Sequence, residues 1–159
     1  MSLFDLTGRV AVVTGSSKGI GRSIAEHMAE AGAKVVVSSR KGPACEAVVE
    51  GIRAKRGEAV AIPCNIGDKA QLEALVKGAR DAFGRIDILV CNAAVNPFYG
   101  PLAEIPDEAW DRIMASNIKS NLWLTRLVLP EMAERKDGVW RVELLGSGNT
   151  SSLRAQNFS

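Results

Sequence analysis

The string Thr14-Gly15-Ser16-Ser17-Lys18-Gly19-Ile20-Gly21 has the residue types and spacing to hold a diphosphate. Its three glycines stand as GxxxGxG between an apolar run and a helical pattern. In that position free backbone N–H groups and the positive end of a helix face an anion. Gly15 allows a tight turn, Gly19 lets the backbone approach a pyrophosphate, and Gly21 lets the helix pack closely. The spacing is neither GxGxxG nor that of a P-loop, which needs Lys-Ser/Thr after its last glycine. An ordinary glycine turn is the plain alternative. Ser38-Ser39-Arg40-Lys41 follows the second apolar run, where a site selecting a free ribose 2′-hydroxyl needs an acid. Arg40 offers a bidentate fork and Lys18 a second charge, which suits a ribose 2′-phosphate and hence NADP(H). Solvated surface charge is the competing reading.

The elements that must position these residues follow from periodicity. Val10-Ala11-Val12-Val13 reads as a strand buried on both faces, and Ile20, Ile24 and Met28 recur at helical spacing up to Gly32. A second strand at 34–38 leads to a helix with Pro43 in its first turn. A third strand at 59–62 precedes a helix opened by Asp68 and Gln71 as a capping box and closed at Gly84. A fourth strand spans 86–91. Strands alternating with helices of this length imply right-handed βαβ crossovers. The expected fold is α/β, a doubly wound parallel sheet. Beyond it come a Pro/Gly loop at 96–101, helices at 106–116 and 117–134, and a fifth strand at 139–145. In that strand Trp140, Val142 and Leu144 alternate with Arg141 and Glu143, a half-exposed pattern. Residues 146–159 are rich in turn formers and are expected to be irregular.

The 159 residues are 47% hydrophobic and 24% charged, which reads as one globular domain over residues 1–159 and excludes a disordered chain. A net charge of +2 gives no ground for a nucleic-acid or membrane partner. Cys45, Cys64 and Cys91 form neither a CxxC pair nor a zinc set, so a reducing, cytoplasmic setting is expected. Asp5 stands where a secretory signal wants a basic start, and no apolar run approaches membrane-spanning length. The single His27 is expected to be a surface or packing residue.

Thr14-Gly15-x-x-x-Gly19-Ile20-Gly21 together with Cys91-Asn92-Ala93-Ala94 after the fourth strand resembles the short-chain dehydrogenase/reductase family. The stretch 88–98 is similar to its carbonyl-reductase branch, which includes NADPH-dependent ketone and retinal reductases. The resemblance covers residues 6–136 and implies a Rossmann-type sheet of strand order 3-2-1-4-5 that lacks the family's later elements. It implies that Asn92, Ala93 and Ala94 line the nicotinamide side, with Cys91 and Ala94 replacing the first and last members of Asn-Asn-Ala-Gly. It places Asn65 and Ile66 at the adenine, where the family usually has Asp, and matches Asn117 to a catalytic asparagine that helps hold a relay water. Ser147 is the one match for the serine that polarises the substrate oxygen. The family's Tyr-x-x-x-Lys is absent, because the single tyrosine is Tyr99 and position 103 is Ala.

The resemblance thus implies an NADP(H)-dependent oxidoreductase acting on a small-molecule ketone or secondary alcohol, and a homo-oligomer assembled through the 117–134 helix. A non-catalytic nucleotide-binding module, with the cradle kept and the proton relay lost, is the second reading. A methyltransferase is a third, disfavoured by Arg40-Lys41. The abrupt loss of pattern at Asp137 raises a further expectation, that the chain is a truncated or altered form of a longer reductase.

Overall fold

Three short apolar runs become the three central parallel strands because each is too apolar to leave either face in water, and a fourth, partly exposed, takes the edge beside them. The computed structural model describes residues 4–142. Strand β1 (Val10–Thr14) is buried throughout and lies between β2 (Lys34–Ser38) and β4 (Ile88–Cys91). Strand β3 (Glu58–Ala61) pairs with β2, and β5 (Val139–Val142) with β4, completing the order 3-2-1-4-5. Helices α1 (Gly19–Glu30), α2 (Gly42–Ala54) and α3 (Lys69–Phe83) are the crossovers between the first four strands. Strand β3 begins one residue earlier than its β-branched run suggests, with exposed Glu58 as its first member.

Successive strand residues point to opposite faces, and the core divides accordingly. Ala11, Val13, Val35 and Val37 pack with Ala25, Val49 and Ile52 of α1 and α2. Val12, Val36 and Leu89 pack on the other face with Leu72 and Leu75 of α3 and with Leu124 and Val128 of a later helix. Asp68 caps α3 by accepting from the N–H groups of Ala70 (2.9 Å) and Gln71 (3.2 Å), and Gly84 ends it at φ 83°.

The two helices expected at 106–116 and 117–134 are not separate. Helix α4 (Asp107–Met114) runs through a π-helical turn (Ala115–Lys119) directly into α5 (Ser120–Glu134). Asn117 therefore caps nothing and lies inside a continuous helical path. Strand β5 keeps the expected alternation. Trp140 and Val142 pack into the α3/α5 core, whereas Val139 is 57% exposed and Arg141 faces outward. An outward face spares that guanidinium the several kcal/mol that burial costs a charge. Glu143, Ser147 and the expected tail at 146–159 lie outside the described residues.

The amino-terminal edge of the sheet is held by charge. Buried Asp87 accepts the Val10 N–H at 2.9 Å and the Arg85 Nε–H at 2.7 Å. Arg9 and Arg135 each stand 3.7 Å away, and Arg9 also pairs with Asp137. That pairing holds the Asp137 carboxyl below its ordinary range. Asp137 leads into β5, so the network ties the fifth strand to β1 and β4.

Candidate functional site

The carboxyl edge of the sheet carries the glycine loop. Gly15 and Gly19 have φ values of 67° and 57°, a region that costs an L-residue roughly 1–2 kcal/mol. A Cβ at Gly15 would lie 2.8 Å from Ala93 Cα, and one at Gly21 would lie 2.4 Å from both Gly15 O and Asn92 Nδ2. Gly21 thus lets α1 press against the loop and Asn92. A Cβ at Gly19 would meet nothing within 4 Å. Gly19 therefore faces the open side of the loop.

Lys18 precedes α1 without a side-chain cap, and the first intrahelical bond runs from the Arg22 N–H to Lys18 O at 3.3 Å. The amides of Gly19, Ile20 and Gly21 consequently have no partner among the described residues. Ser17 is half-buried, while Lys18 and Ile20 are exposed. Ser16, which the sequence does not single out, is fully buried. Its hydroxyl donates to Val13 O at 2.6 Å and accepts the Ser38 N–H at 2.9 Å, pinning the loop to the end of β2.

Asn92 locks the same loop from β4. Its Nδ2 donates to Thr14 O (3.0 Å) and Gly15 O (3.2 Å), and Thr14 Oγ1 accepts the N–H groups of Asn92 and Ala93, both at 3.1 Å. The junction of β1 and β4 is where connections diverge to opposite sides of a 3-2-1-4-5 sheet, the place at which such folds bind ligands. Ala93 and Ala94 sit half-buried beyond it. Asn117 reaches this segment from the π-helical turn. Its Oδ1 accepts the Val95 N–H (2.8 Å) and its Nδ2 donates to Val95 O (2.9 Å), so both ends of the amide hold the Val95 backbone.

At the end of β2, Arg40 and Lys41 are exposed, and neither they nor Lys18 form an ion pair among the described residues. Ser39 shapes this turn. Its Oγ accepts the Lys41 N–H at 3.3 Å and lies 3.2 Å from Cys45 Sγ. After β3, Asn65 is exposed and Ile66 buried, and Gln71 Oε1 accepts the Asn65 N–H at 2.9 Å. The structure brings the loop, Arg40, Asn65, Ile66 and the 92–94 segment to one edge of the sheet, with Asn117 behind it.

This strand order, the glycine loop on the central strand and the asparagine clamp beside it have a counterpart among known proteins. A family model described as short chain dehydrogenase matches residues 9–140. The chain belongs to the short-chain dehydrogenase/reductase family. It is 42% identical over 133 residues to the dehydrogenase/reductase SDR family member 4 of Oryctolagus cuniculus, covering 84% of this chain and 51% of that protein. The chain spans about half the length of the curated relatives it matches. Among solved structures, a metagenomic short-chain oxidoreductase in complex with NADP superposes with a TM-score of 0.82 at 37% identity, covering 92% of this chain and 67% of that one. A 7α-hydroxysteroid dehydrogenase complexed with NADH and 7-oxo glycochenodeoxycholic acid gives 0.82 at 37% identity, covering 86% and 53%.

Within this short-chain dehydrogenase/reductase chain the remaining polar chemistry is sparse. Tyr99 is 88% exposed on the loop after β4. Cys45, Cys64 and Cys91 are free and buried. Burial raises the Cys64 thiol to about 11, helped by the Asp68 charge, and raises the Cys91 thiol to about 12. They are packing residues. His27 is exposed on α1, with Nδ1 2.7 Å from Ser23 O. Among the described residues no helix is long and apolar enough to cross a membrane.

Proposed function

We propose that the chain carries the NADP(H)-binding part of an oxidoreductase that interconverts a small-molecule ketone and a secondary alcohol. The supporting observation is the pairing of three unengaged amides at Gly19, Ile20 and Gly21 with unpaired Lys18 and Arg40 at the same sheet edge. NADP(H), when bound, supplies the hydride. Gly15, Ser17, Lys18, Gly19, Ile20 and Gly21 hold its pyrophosphate, and Arg40 with Lys18 takes the 2′-phosphate. Asn65 and Ile66 border the adenine, and Asn92, Ala93 and Ala94 line the nicotinamide. Asn117 fixes the Val95 backbone at the reacting end, and Ser147 polarises the substrate oxygen.

A second reading, a nucleotide-binding module without turnover, is favoured by one specific fact: the only tyrosine is an exposed loop residue with Ala103 four positions on. NADPH oxidation against a panel of ketones separates the two. Turnover supports the enzyme, NADPH binding without turnover supports the module, and absence of binding refutes both. Arg40→Asp should shift preference from NADPH toward NADH by about tenfold or more, since it replaces a charge-assisted fork by a like charge. An unchanged preference removes Arg40 from its role.

The same reading extends to assembly and setting. Ile118, Leu122 and Leu129 remain exposed on one stripe of the helical segment that packs Leu124, Val128 and Met132 inward. We assign this stripe to a second copy of the chain, and light scattering that finds only monomer at tens of micromolar contradicts it. Three buried free thiols suit the reducing cytoplasm.

A further inference from the structure

We propose that Asn65 turns the base end of this site into a hydrogen-bond donor, so that the chain accepts a 6-oxopurine dinucleotide about as well as an adenine one. The inference rests on the dinucleotide reading above. With the pyrophosphate at the β1–α1 loop and the ribose phosphate at Arg40, the base must lie beyond the neighbouring carboxyl ends of β2 and β3. Those ends are joined there. Val37 pairs with Ala61, and the Cys64 N–H donates to Ser39 O at 3.0 Å, which sets Asn65 beside the loop that presents Arg40.

The orientation of the Asn65 amide is decided by its own turn. The Gly67 N–H donates to Asn65 Oδ1 at 3.2 Å, so the oxygen is turned inward and Nδ2 is the group left over. The backbone groups of Asn65 itself are occupied as well. The Asn65 N–H goes to Gln71 Oε1 at 2.9 Å, and Asn65 O accepts the Asp68 N–H at 3.0 Å. The Ile66 N–H bonds nothing among the described residues. Two donors, Asn65 Nδ2 and the Ile66 N–H, are what this corner presents.

Adenine offers an acceptor at N1 and a donor at its 6-amino group. Hypoxanthine offers an acceptor at O6 and a donor at N1. Selecting the amino group over the oxo group requires an acceptor. A carboxylate at position 65 would supply one, with one oxygen for Gly67 and the other for the amino group. Asn65 has NH₂ in that place, so each base satisfies one donor and leaves one of its own donors unpaired.

Calorimetric titration of the protein with NADPH and with its 6-deamino (hypoxanthine) analogue tests this. The wild-type Kd values should agree within about threefold, and Asn65→Asp, which preserves the Gly67 contact, should favour NADPH by about tenfold, as expected for one charge-assisted hydrogen bond. An unchanged melting temperature of the variant shows that the turn is intact. A wild-type preference for adenine beyond tenfold, or a ratio unmoved by Asn65→Asp, overturns the proposal while leaving the dinucleotide reading standing. Binding of neither nucleotide by the wild type overturns both.

Discussion

Replacing Gly21 by Ala tests whether the glycine loop is held by contact rather than by spacing alone. Gly21 has no positive φ, so the backbone itself accepts alanine, and helix propensity favours the change by up to about 1 kcal/mol. Opposing this, the new Cβ would sit 2.4 Å from both Gly15 O and Asn92 Nδ2. Backbone and a buried amide cannot yield cheaply. Overpacking of this kind costs about 1–3 kcal/mol. Displacing Asn92 forfeits its two bonds to Thr14 O and Gly15 O, worth about 1 kcal/mol each. The net effect is a loss of about 2–5 kcal/mol, or a fall in Tm of roughly 4–20 °C for a chain of this size. Gly51 in α2 is the internal control, since a Cβ there meets nothing within 4 Å. Gly51→Ala should therefore stabilise by about 0.5–1 kcal/mol. Thermal and urea denaturation of both variants read the two signs. A Gly21→Ala variant that melts at or above the wild type refutes the argument.

Asn117→Ala should lower the urea midpoint by the equivalent of about 1–3 kcal/mol, because both polar groups of half-buried Val95 lose their partner. Asn117→Asp should rescue only part of this, as a carboxylate cannot donate to Val95 O, and an unchanged midpoint in the Ala variant would deny the clamp any weight. Ellman's reagent at pH 8 should find none of the three buried thiols in the native protein and all three after denaturation. Rapid native labelling of any of them contradicts the packing described. Because burial raises the Cys91 thiol to about 12, the folded form keeps a proton that the unfolded form releases from about pH 9. Stability should fall as pH rises from about 9 to about 12, and Cys91→Ala should flatten that limb; an identical alkaline slope in the variant would refute the assignment.

The parts of this account that were legible in the sequence are those encoded locally. Gly15 and Gly19 announce a loop because their backbone region excludes other residues, and Val10–Val13 announces a central strand because it has no polar face. The doubly wound class followed from alternating elements and crossover handedness, whereas the order 3-2-1-4-5 came with the family resemblance, because alternation alone also permits other orders. What was not legible depends on partners distant in the chain. Asn92 works on Thr14 and Gly15 from 78 and 77 residues away, and no local pattern reports those bonds. Ser16 and Ser17 are chemically alike, and only folding shows that Ser16 is the buried one. The π-helical turn misled the reading at Asn117. An i→i+5 register leaves no compositional mark, and an Asn in a helical pattern looks like a boundary. Its side-chain bonds to Val95, 22 residues away, could only be seen once the loop after β4 was in place. At β5 the alternation of Trp140 and Val142 with Arg141 was readable, and the exposed face follows from it.

The most direct test of the central claim is isothermal titration of the purified protein with NADPH and with NADH under identical salt. The uncapped start of α1 and the unpaired Arg40 predict saturable NADPH binding at least about tenfold tighter than NADH, with the difference shrinking as salt rises. Equal affinities, or no heat from either nucleotide, would contradict it.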